Sequence, residues 1–202
     1  MTAALAAAVL FWRKAKDSLA KEQLFTGEIE INGEALSETT RLTAFLFMVA
    51  AAETGLDKAR SGESYATFYG NSIFRDFSNH PVLTGEKTGV KLSDKMCKNA
   101  GFGPGCVSTA AGAYQINLPT WLEVSRAGAW GSELIDFTPE SQDEAARRIL
   151  ILTGALPLLE SGDFDGALNA ASARWASLPG SNAQQNPKAY AAVANYFFEG
   201  IA

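Results

Sequence analysis

A glutamate at the end of a long apolar run is the residue best placed for acid–base chemistry. Glu53 follows the run over residues 42–52 and is itself followed by Thr54-Gly55. Such a run predicts a buried helix, so its terminal carboxylate would emerge from an apolar wall into the space beyond. Burial raises the pKa of a carboxyl group, and a carboxylic acid that stays protonated near neutral pH can act as a general acid. Taken alone, the pattern also fits a solvated glutamate at a helix end.

The elements that would position Glu53 are mostly helical. Periodicity and capping signals predict helices over residues 2–24, 40–53, 111–117, 119–129, 139–153, 155–161, 163–175 and 187–200. Residues 25–31 alternate apolar and polar side chains and end at Asn32-Gly33, which predicts a short strand or an extended linker before a turn. Residues 55–112 show little helical periodicity, and short strands are expected around 65–69 and 73–77. This inventory is an α+β arrangement with one small β-rich lobe.

Length and composition limit the classes of protein that fit. The chain has 202 residues, of which 47% are hydrophobic and 19% charged, as in a soluble globular protein of one domain with or without an appended arm. The formal net charge of -5 argues against a sequence-independent nucleic-acid binder, which needs a basic face. No run of about 20 apolar residues predicts a transmembrane helix. The apolar stretch over residues 3–12 is interpreted as the start of a packed helix, with the remnant of a membrane anchor as the alternative.

Two cysteines, Cys97 and Cys106, flank a Gly/Pro-rich segment over residues 98–105. A chain reversal there could bring the two sulfur atoms into bonding range, and a disulfide would imply an oxidising compartment. Two free thiols fit the sequence equally well. A metal site is not expected, because the single histidine, His80, lies well before the cysteines and a zinc site needs more ligands. No phosphate-binding glycine loop stands between a strand and a helix, so no cofactor is expected.

Several segments of the chain match one known family in order and without large gaps. They are residues 44–53, which end in Glu53; 74–81, with Ser-Asn-His-Pro; 108–116, with Gly-Ala-Tyr-Gln; 137–143; 154–157; and 175–180, Trp-Ala-Ser-Leu-Pro-Gly. On these segments the chain resembles the lambda-type endolysins, a lysozyme-like family of lytic transglycosylases (glycoside hydrolase family 104). The resemblance covers about residues 42–198, and the segment over 175–180 is identical to the family's closing motif.

The resemblance implies a lysozyme-like α+β fold, in which a mostly helical lobe and a small β-rich lobe flank a sugar-binding cleft. Residues 41–202 would form the catalytic domain, and residues 1–40 would form an N-terminal helical arm or extension. The chain departs from the family in a longer segment between Pro81 and Ser108, and in Ala113, which replaces a basic residue.

The resemblance also implies an enzyme that cuts peptidoglycan between N-acetylmuramic acid and N-acetylglucosamine, with Glu53 as general acid and base. In such an enzyme the 6-hydroxyl of the muramic acid attacks C1, a 1,6-anhydro sugar forms, and no second carboxylate is needed. Two alternatives stay open: a hydrolytic muramidase that uses water and a second carboxylate, and a non-catalytic wall-binding module of a virion. For the muramidase, Asp76 is a better second carboxylate than Asp57 or Glu63.

The residues predicted to bind substrate or to support the site are Tyr65, Asp76, His80, Tyr114, Gln115 and Ser172. Tyr114 and Gln115 would line the cleft wall opposite Glu53, where a hydroxyl and an amide can bond an N-acetyl group or the glutamate itself. Their alternatives are a core aromatic residue and a surface amide. Tyr65 could stack on sugar rings, Asp76 could instead cap a turn, and His80 is interpreted mainly as a structural imidazole.

The partners implied by the resemblance are peptidoglycan glycan strands, with no nucleic acid, and a monomer is expected. The enzyme would act on the cell wall in the periplasm of a Gram-negative host, after synthesis in the host cytoplasm or transport in the virion. Residues 1–40 could tether it to a membrane or a virion.

Overall fold

The computed structural model describes residues 30–31, 34–181 and 187–201. The helices in this part of the chain are α1 (Glu38–Thr54), α2 (Leu56–Ser61), α3 (Asp94–Asn99), α4 (Leu118–Ser125), α5 (Pro139–Thr153), α6 (Ala155–Glu160), α7 (Phe164–Ala171) and α8 (Tyr190–Glu199). Short 3-10 helices occur at Glu63–Ala66, Tyr69–Asn71 and Gly128–Trp130. None of the helices in the described ranges is both long and apolar enough to cross a membrane.

The strands are two residues long and pair in antiparallel fashion. They are β1 (Glu30–Ile31), β2 (Glu34–Ala35), β3 (Thr67–Phe68), β4 (Ser72–Ile73), β5 (Val90–Lys91) and β6 (Val107–Ser108), paired as β1–β2, β3–β4 and β5–β6. The β1–β2 pairing agrees with the strand predicted before Asn32-Gly33, although those two residues lie outside the described ranges. The strand predicted around residues 65–69 contains β3, and the one around 73–77 overlaps β4 only at Ile73. The result is an α+β architecture with a mostly helical body.

Helix α1 forms the centre of the body. The Ser37 hydroxyl oxygen caps it by accepting the backbone N–H of Thr40 at 3.1 Å. Most of its residues from Ala44 to Ala52 are buried, because α1 packs against α8, α6, α5 and α2. Phe45 of α1 meets Phe164 of α7 edge to face at 6.0 Å between ring centroids, and Phe164 meets Phe197 of α8 at 4.8 Å. This packing fixes the direction in which the end of α1 points.

The helix predicted over residues 111–117 is wrong. Ala111 and Ile116 instead form an antiparallel bridge that encloses a tight turn. Two residues in the turn take left-handed backbone angles, Gly112 with φ of 77° and Gln115 with φ of 44°, and a right-handed helix cannot contain them. The turn thus belongs with the β-rich region, where Phe68 of β3 also bridges to Ala111.

Two short helices, α2 and α3, were not predicted from the sequence. Helix α1 ends at Gly55 as expected, yet α2 begins directly after it. The Ser93 hydroxyl oxygen caps α3 by accepting the Met96 N–H at 3.3 Å. Six residues are too few to show a periodic apolar pattern. The remaining predicted helices agree with the structure to within a few residues, and the helix predicted over residues 2–24 lies outside the described ranges.

A disulfide closes the segment that holds α3. Cys97 lies in α3 and Cys106 lies just before β6, and their Cα atoms are 5.7 Å apart. The Leu92 N–H donates to the Cys106 carbonyl oxygen at 3.0 Å. The strand pair β5–β6 and the disulfide together therefore close the segment between β5 and β6 into one loop. Two free thiols, the open alternative from the sequence, are not what the structure contains.

Candidate active site

Glu53 lies in the last turn of α1, where the buried helix reaches the surface. Its neighbours Ala51 and Ala52 are buried, and Gly55 ends the helix with φ of 101°. Glu53 as a residue is partly exposed, in contrast to Ala51 and Ala52 before it. Desolvation by the surrounding protein is the largest effect on this carboxyl group and raises its pKa above the ordinary value.

Ser177 holds the Glu53 carboxyl group in place. The Ser177 hydroxyl donates to Glu53 Oε1 at 2.6 Å, and the Ser177 backbone N–H donates to the same carboxyl group. These bonds favour the carboxylate and lower the pKa of Glu53, as does the positive charge of Lys188, but desolvation outweighs them. The Lys188 N–H also donates to the Ser177 carbonyl oxygen at 2.7 Å, which ties the start of the final segment to the site.

The position of Ser177 depends on a buried tryptophan. Trp175 is almost fully buried, and its indole Nε1 donates to the Tyr114 carbonyl oxygen at 2.9 Å. The backbone then turns, with the Leu178 N–H donating to the Trp175 carbonyl oxygen at 3.2 Å. The Ser177 hydroxyl is therefore anchored to the turn over residues 111–116 on one side and to the end of α1 on the other.

Tyr114 and Tyr65 converge on a carboxylate that sequence reasoning did not identify, Asp143 of α5. The Tyr114 hydroxyl donates to Asp143 Oδ1 at 2.6 Å, and the Tyr65 hydroxyl donates to the same atom at 2.8 Å. Burial is the main reason that the pKa values of both tyrosines are raised, and it also raises the pKa of Asp143. Tyr114 is almost fully buried, which agrees with the alternative of a core aromatic residue.

Gln115 lies at the surface end of the same turn. Its side-chain Nε2 donates to the carbonyl oxygens of Thr67 at 3.1 Å and Gly112 at 2.9 Å. Both amide hydrogens are thus directed into the protein, and the residue stays partly exposed. A left-handed backbone in a residue other than glycine costs free energy and is often found at functional sites.

Gln142 of α5 is a second residue that sequence reasoning missed. It is fully buried, and its side-chain Oε1 accepts the Ala113 N–H at 2.9 Å. Its Nε2 donates to the carbonyl oxygens of Tyr65 at 3.0 Å and Phe137 at 2.8 Å. This one amide therefore joins α5 to the turn that carries Tyr114 and Gln115.

The other predicted site residues have structural contacts. His80 is fully buried, its Nε2 lies 3.1 Å from the Ile116 carbonyl oxygen, and burial lowers its pKa to about 4, so the imidazole is neutral at pH 7. Asp76 is exposed and caps a turn, since its Oδ1 accepts the Ser78 N–H at 2.9 Å. The Ser172 hydroxyl donates to the Asn169 carbonyl oxygen at 2.7 Å within its own helical turn. Among the described residues, none of these three forms a hydrogen bond with Glu53.

The arrangement offers the Glu53 carboxyl group for proton transfer. The charged side chain that acts on Glu53 is the cation Lys188, and Glu63 instead pairs with Lys58 at 3.3 Å. Across residues 30–31, 34–181 and 187–201, no group of three or more His, Cys, Asp or Glu side chains is arranged to hold a metal ion. The site can therefore carry out acid–base chemistry through a single glutamate with a raised pKa.

Comparisons with known proteins point to one family. The sequence profile of the family described as Endolysin matches residues 43–200. The chain is 36% identical to the endolysin of Escherichia phage lambda over 141 residues, which is 68% of this chain and 77% of that protein. It is 32% identical to the endolysin of Escherichia phage P2 over 146 residues, or 69% of this chain and 80% of that protein. A solved structure of bacteriophage lambda lysozyme with a chitohexasaccharide superposes with a TM-score of 0.61 and 31% identity, covering 85% of this chain and 96% of that one.

Proposed function

The chain belongs to the endolysin family, and from this we propose that it is a lysozyme-like glycosidase that cleaves peptidoglycan by the lytic transglycosylase reaction. The bond cut is the β-1,4 link between N-acetylmuramic acid and N-acetylglucosamine. The observation that carries the proposal is Glu53, a carboxyl group at the end of α1 whose pKa burial raises and whose position Ser177 fixes. The solved lambda lysozyme complex with a chitohexasaccharide supports a glycan as the ligand of this fold.

The proposed reaction uses Glu53 twice. The protonated carboxyl group first donates its proton to the glycosidic oxygen, and the bond from C1 to that oxygen breaks. The 6-hydroxyl of the muramic acid then attacks C1, and the Glu53 carboxylate accepts the proton that this hydroxyl loses. A 1,6-anhydro sugar leaves, and Glu53 is protonated again. The hydrogen bonds from Ser177 stabilise the carboxylate that exists between the two transfers.

Gln115 is proposed to contact the sugar through its side-chain oxygen. Its Nε2 is occupied by two backbone carbonyl groups, which turns Oε1 away from them. A side-chain oxygen held in this way can accept a hydrogen bond from the N–H of an N-acetyl group. Tyr65 and Tyr114, whose hydroxyls are both engaged by Asp143, would act through the position of the turn.

The disulfide between Cys97 and Cys106 supports action outside the cytoplasm, because such bonds persist in oxidising compartments. The relatives come from phages of Escherichia, a Gram-negative host. We propose that the protein reaches the periplasm and degrades the cell wall there.

Analysis of the released fragments by mass spectrometry tests the proposed reaction. Purified protein is incubated with Gram-negative peptidoglycan, and fragments ending in 1,6-anhydromuramic acid, lighter by one water than reducing ends, are expected. Reducing ends would mean that water is the nucleophile and that the enzyme is a muramidase. If a folded protein releases no fragments, the wall-binding alternative replaces the proposal.

Replacing Ser177 by Ala tests how the carboxyl group is tuned. Since the Ser177 hydrogen bond lowers the pKa of Glu53, its loss should raise that pKa further and move the basic limb of the kcat profile to higher pH. A hydrogen bond to a charged group is worth about 1.5–3 kcal/mol, so kcat at the optimum should fall by about tenfold to a hundredfold. The measurement is turnover of soluble peptidoglycan fragments against pH.

Ser161→Ala is the matched control for Ser177→Ala. The Ser161 hydroxyl donates to a backbone carbonyl oxygen, that of Leu158 at 2.8 Å, and not to a carboxylate; it lies directly after α6. Its pH profile should match that of the unchanged protein. A basic limb that stays in place in Ser177→Ala would contradict the role given to the hydroxyl.

A further inference from the structure

The disulfide-closed loop differs in charge from the rest of the chain. We call residues 87–107 the basic knob; it contains Lys87, Lys91, Lys95 and Lys98 and one acidic residue, Asp94. Its formal charge is therefore 4 − 1 = +3, whereas the whole chain carries -5, which leaves −8 for all other residues. Such segregation of charge is not required by the fold, because the knob packs through its backbone and the disulfide.

Three lysines of the knob are exposed and available to a partner. Lys95 and Lys98 are three residues apart in α3, so they lie on one face of that helix. Lys91 of β5 lies directly opposite Val107 of β6, on the same face of the strand pair. In the part of the chain that the structure describes, none of these three lysines forms an ion pair.

Apolar side chains are exposed among these lysines. Phe102 has 65% of its surface exposed and Val107 has 53%. Phe102 lies three residues after the end of α3, and its N–H donates to the Cys97 carbonyl oxygen at 2.8 Å, next to the disulfide. The ring is therefore presented at the tip of a covalently closed loop whose other residues are mostly glycine and proline. Exposed apolar groups clustered in this way mark a contact surface.

We propose that the basic knob docks on an anionic lipid bilayer surface. Lysines near a membrane are attracted to acidic headgroups, while an aromatic ring and the Val107 side chain can enter the boundary between headgroups and acyl chains. A nucleic acid duplex would use the lysines but would leave Phe102 and Val107 in water. The disulfide also indicates an oxidising compartment. In such a compartment, membranes are abundant, and they combine an anionic surface with an apolar interior. This docking does not depend on the proposed catalytic reaction.

Vesicle binding by the full-length protein tests the docking surface. The probes are vesicles of phosphatidylcholine alone and vesicles with about one third phosphatidylglycerol, at low and high salt. The unchanged protein should bind the anionic vesicles, and the triple variant Lys91→Gln, Lys95→Gln, Lys98→Gln should bind them on the order of a hundredfold more weakly, at about fivefold per lysine. Phe102→Ser should weaken binding without changing its dependence on salt.

Two control variants separate the knob from general surface effects. Arg75→Gln with Arg126→Gln removes two exposed positive charges outside the knob, and Ile135→Ser removes a side chain that is 77% exposed in the loop before α5. Both should bind anionic vesicles as the unchanged protein does. All variants should digest purified peptidoglycan at the same rate, which shows that they are folded.

Three results would overturn the proposal. The first is absence of binding to anionic vesicles by the unchanged protein. The second is equal binding by the triple lysine variant, which would place the membrane contact elsewhere, for example in residues 1–40. The third is a combination of two observations: double-stranded DNA displaces the protein from anionic vesicles at a concentration equal to that of the anionic lipid, and Phe102→Ser does not weaken vesicle binding. Together they would make the knob a general polyanion site.

Discussion

Replacing Glu53 by Gln is expected to lower the rate of peptidoglycan cleavage on the order of a thousandfold or more. Gln has nearly the same size as Glu, and its side-chain oxygen can still accept the Ser177 hydroxyl, so the local structure should survive. An amide cannot donate a proton to the glycosidic oxygen or accept one afterwards, and general acid–base catalysis typically contributes a hundredfold to ten-thousandfold for each transfer. The measurement is the decrease in turbidity of a purified peptidoglycan suspension.

The same substitution should make the protein more stable at neutral pH. Desolvation raises the pKa of Glu53 in the folded state above its value in the unfolded state. The contribution of Glu53 to the free energy of unfolding is therefore full below the ordinary carboxyl pKa and declines as pH rises through the raised pKa. A neutral amide avoids the cost of holding a carboxylate in that environment. Thermal unfolding should therefore show a higher Tm for Glu53→Gln above the raised pKa and a smaller difference in acid.

Glu123→Gln is the control for both measurements. Glu123 forms an exposed ion pair with Arg174 at 3.1 Å, and such pairs contribute about 1 kcal/mol or less. Its activity and Tm should stay close to those of the unchanged protein. Full cleavage activity in a folded Glu53→Gln protein would remove Glu53 from the mechanism, whatever its Tm.

The position of Glu53, the proposed general acid, could be predicted from the sequence because it depends on local pattern. An apolar run of helical length followed by Glu53 and Gly55 determines both the helix and its end, and α1 ends where the run predicts. The sequence alone left a solvated glutamate as the alternative. Desolvation and the contacts with Ser177 and Lys188, which are remote in sequence, favour the functional interpretation.

The supporting residues could not be predicted because their partners are remote. Ser177 is 124 positions from Glu53, and Gln142 bonds Ala113 across 29 positions. One signal was available for Ser177, since a hydroxyl between the buried Trp175 and Leu178 must find a partner. Tyr114 was predicted as a cleft residue through the resemblance, and Tyr65 from its residue type, but only packing shows that both hydroxyls are turned to Asp143.

The turn over residues 111–116 was predicted as a helix because its residues are compatible with one. Apart from Gly112, the segment contains alanine, tyrosine, glutamine and isoleucine, none of which forbids helix. The fold places Gly112 against α5 and drives its backbone to positive φ, and this tertiary contact overrides local propensity.

Gly112→Ala should therefore be among the most destabilising single substitutions in the chain. A Cβ atom on Gly112 would lie 2.1 Å from Gln142 Oε1 and 2.7 Å from its Cδ, so Gln142 must move. Gln142 is held at both ends of its buried amide by Ala113, Tyr65 and Phe137, and each polar group left without a partner costs about 1–3 kcal/mol. With the left-handed backbone cost of about 1–2 kcal/mol, a loss of about 2–5 kcal/mol is expected.

Gly131→Ala separates the steric part of this loss from the backbone part. Gly131 has φ of 75°, close to the 77° of Gly112, but a Cβ there meets no atom within 4 Å. Chemical denaturation should give a loss of about 1–2 kcal/mol for Gly131→Ala, the left-handed term alone. Equal losses in the two variants would mean that Gln142 moves without cost and that its hydrogen bonds do not hold the turn.

If the Gln142 hydrogen bonds do hold the turn, Gly112→Ala should also lower activity. The Tyr114 carbonyl oxygen on that turn anchors Trp175, and through it Ser177 and Glu53.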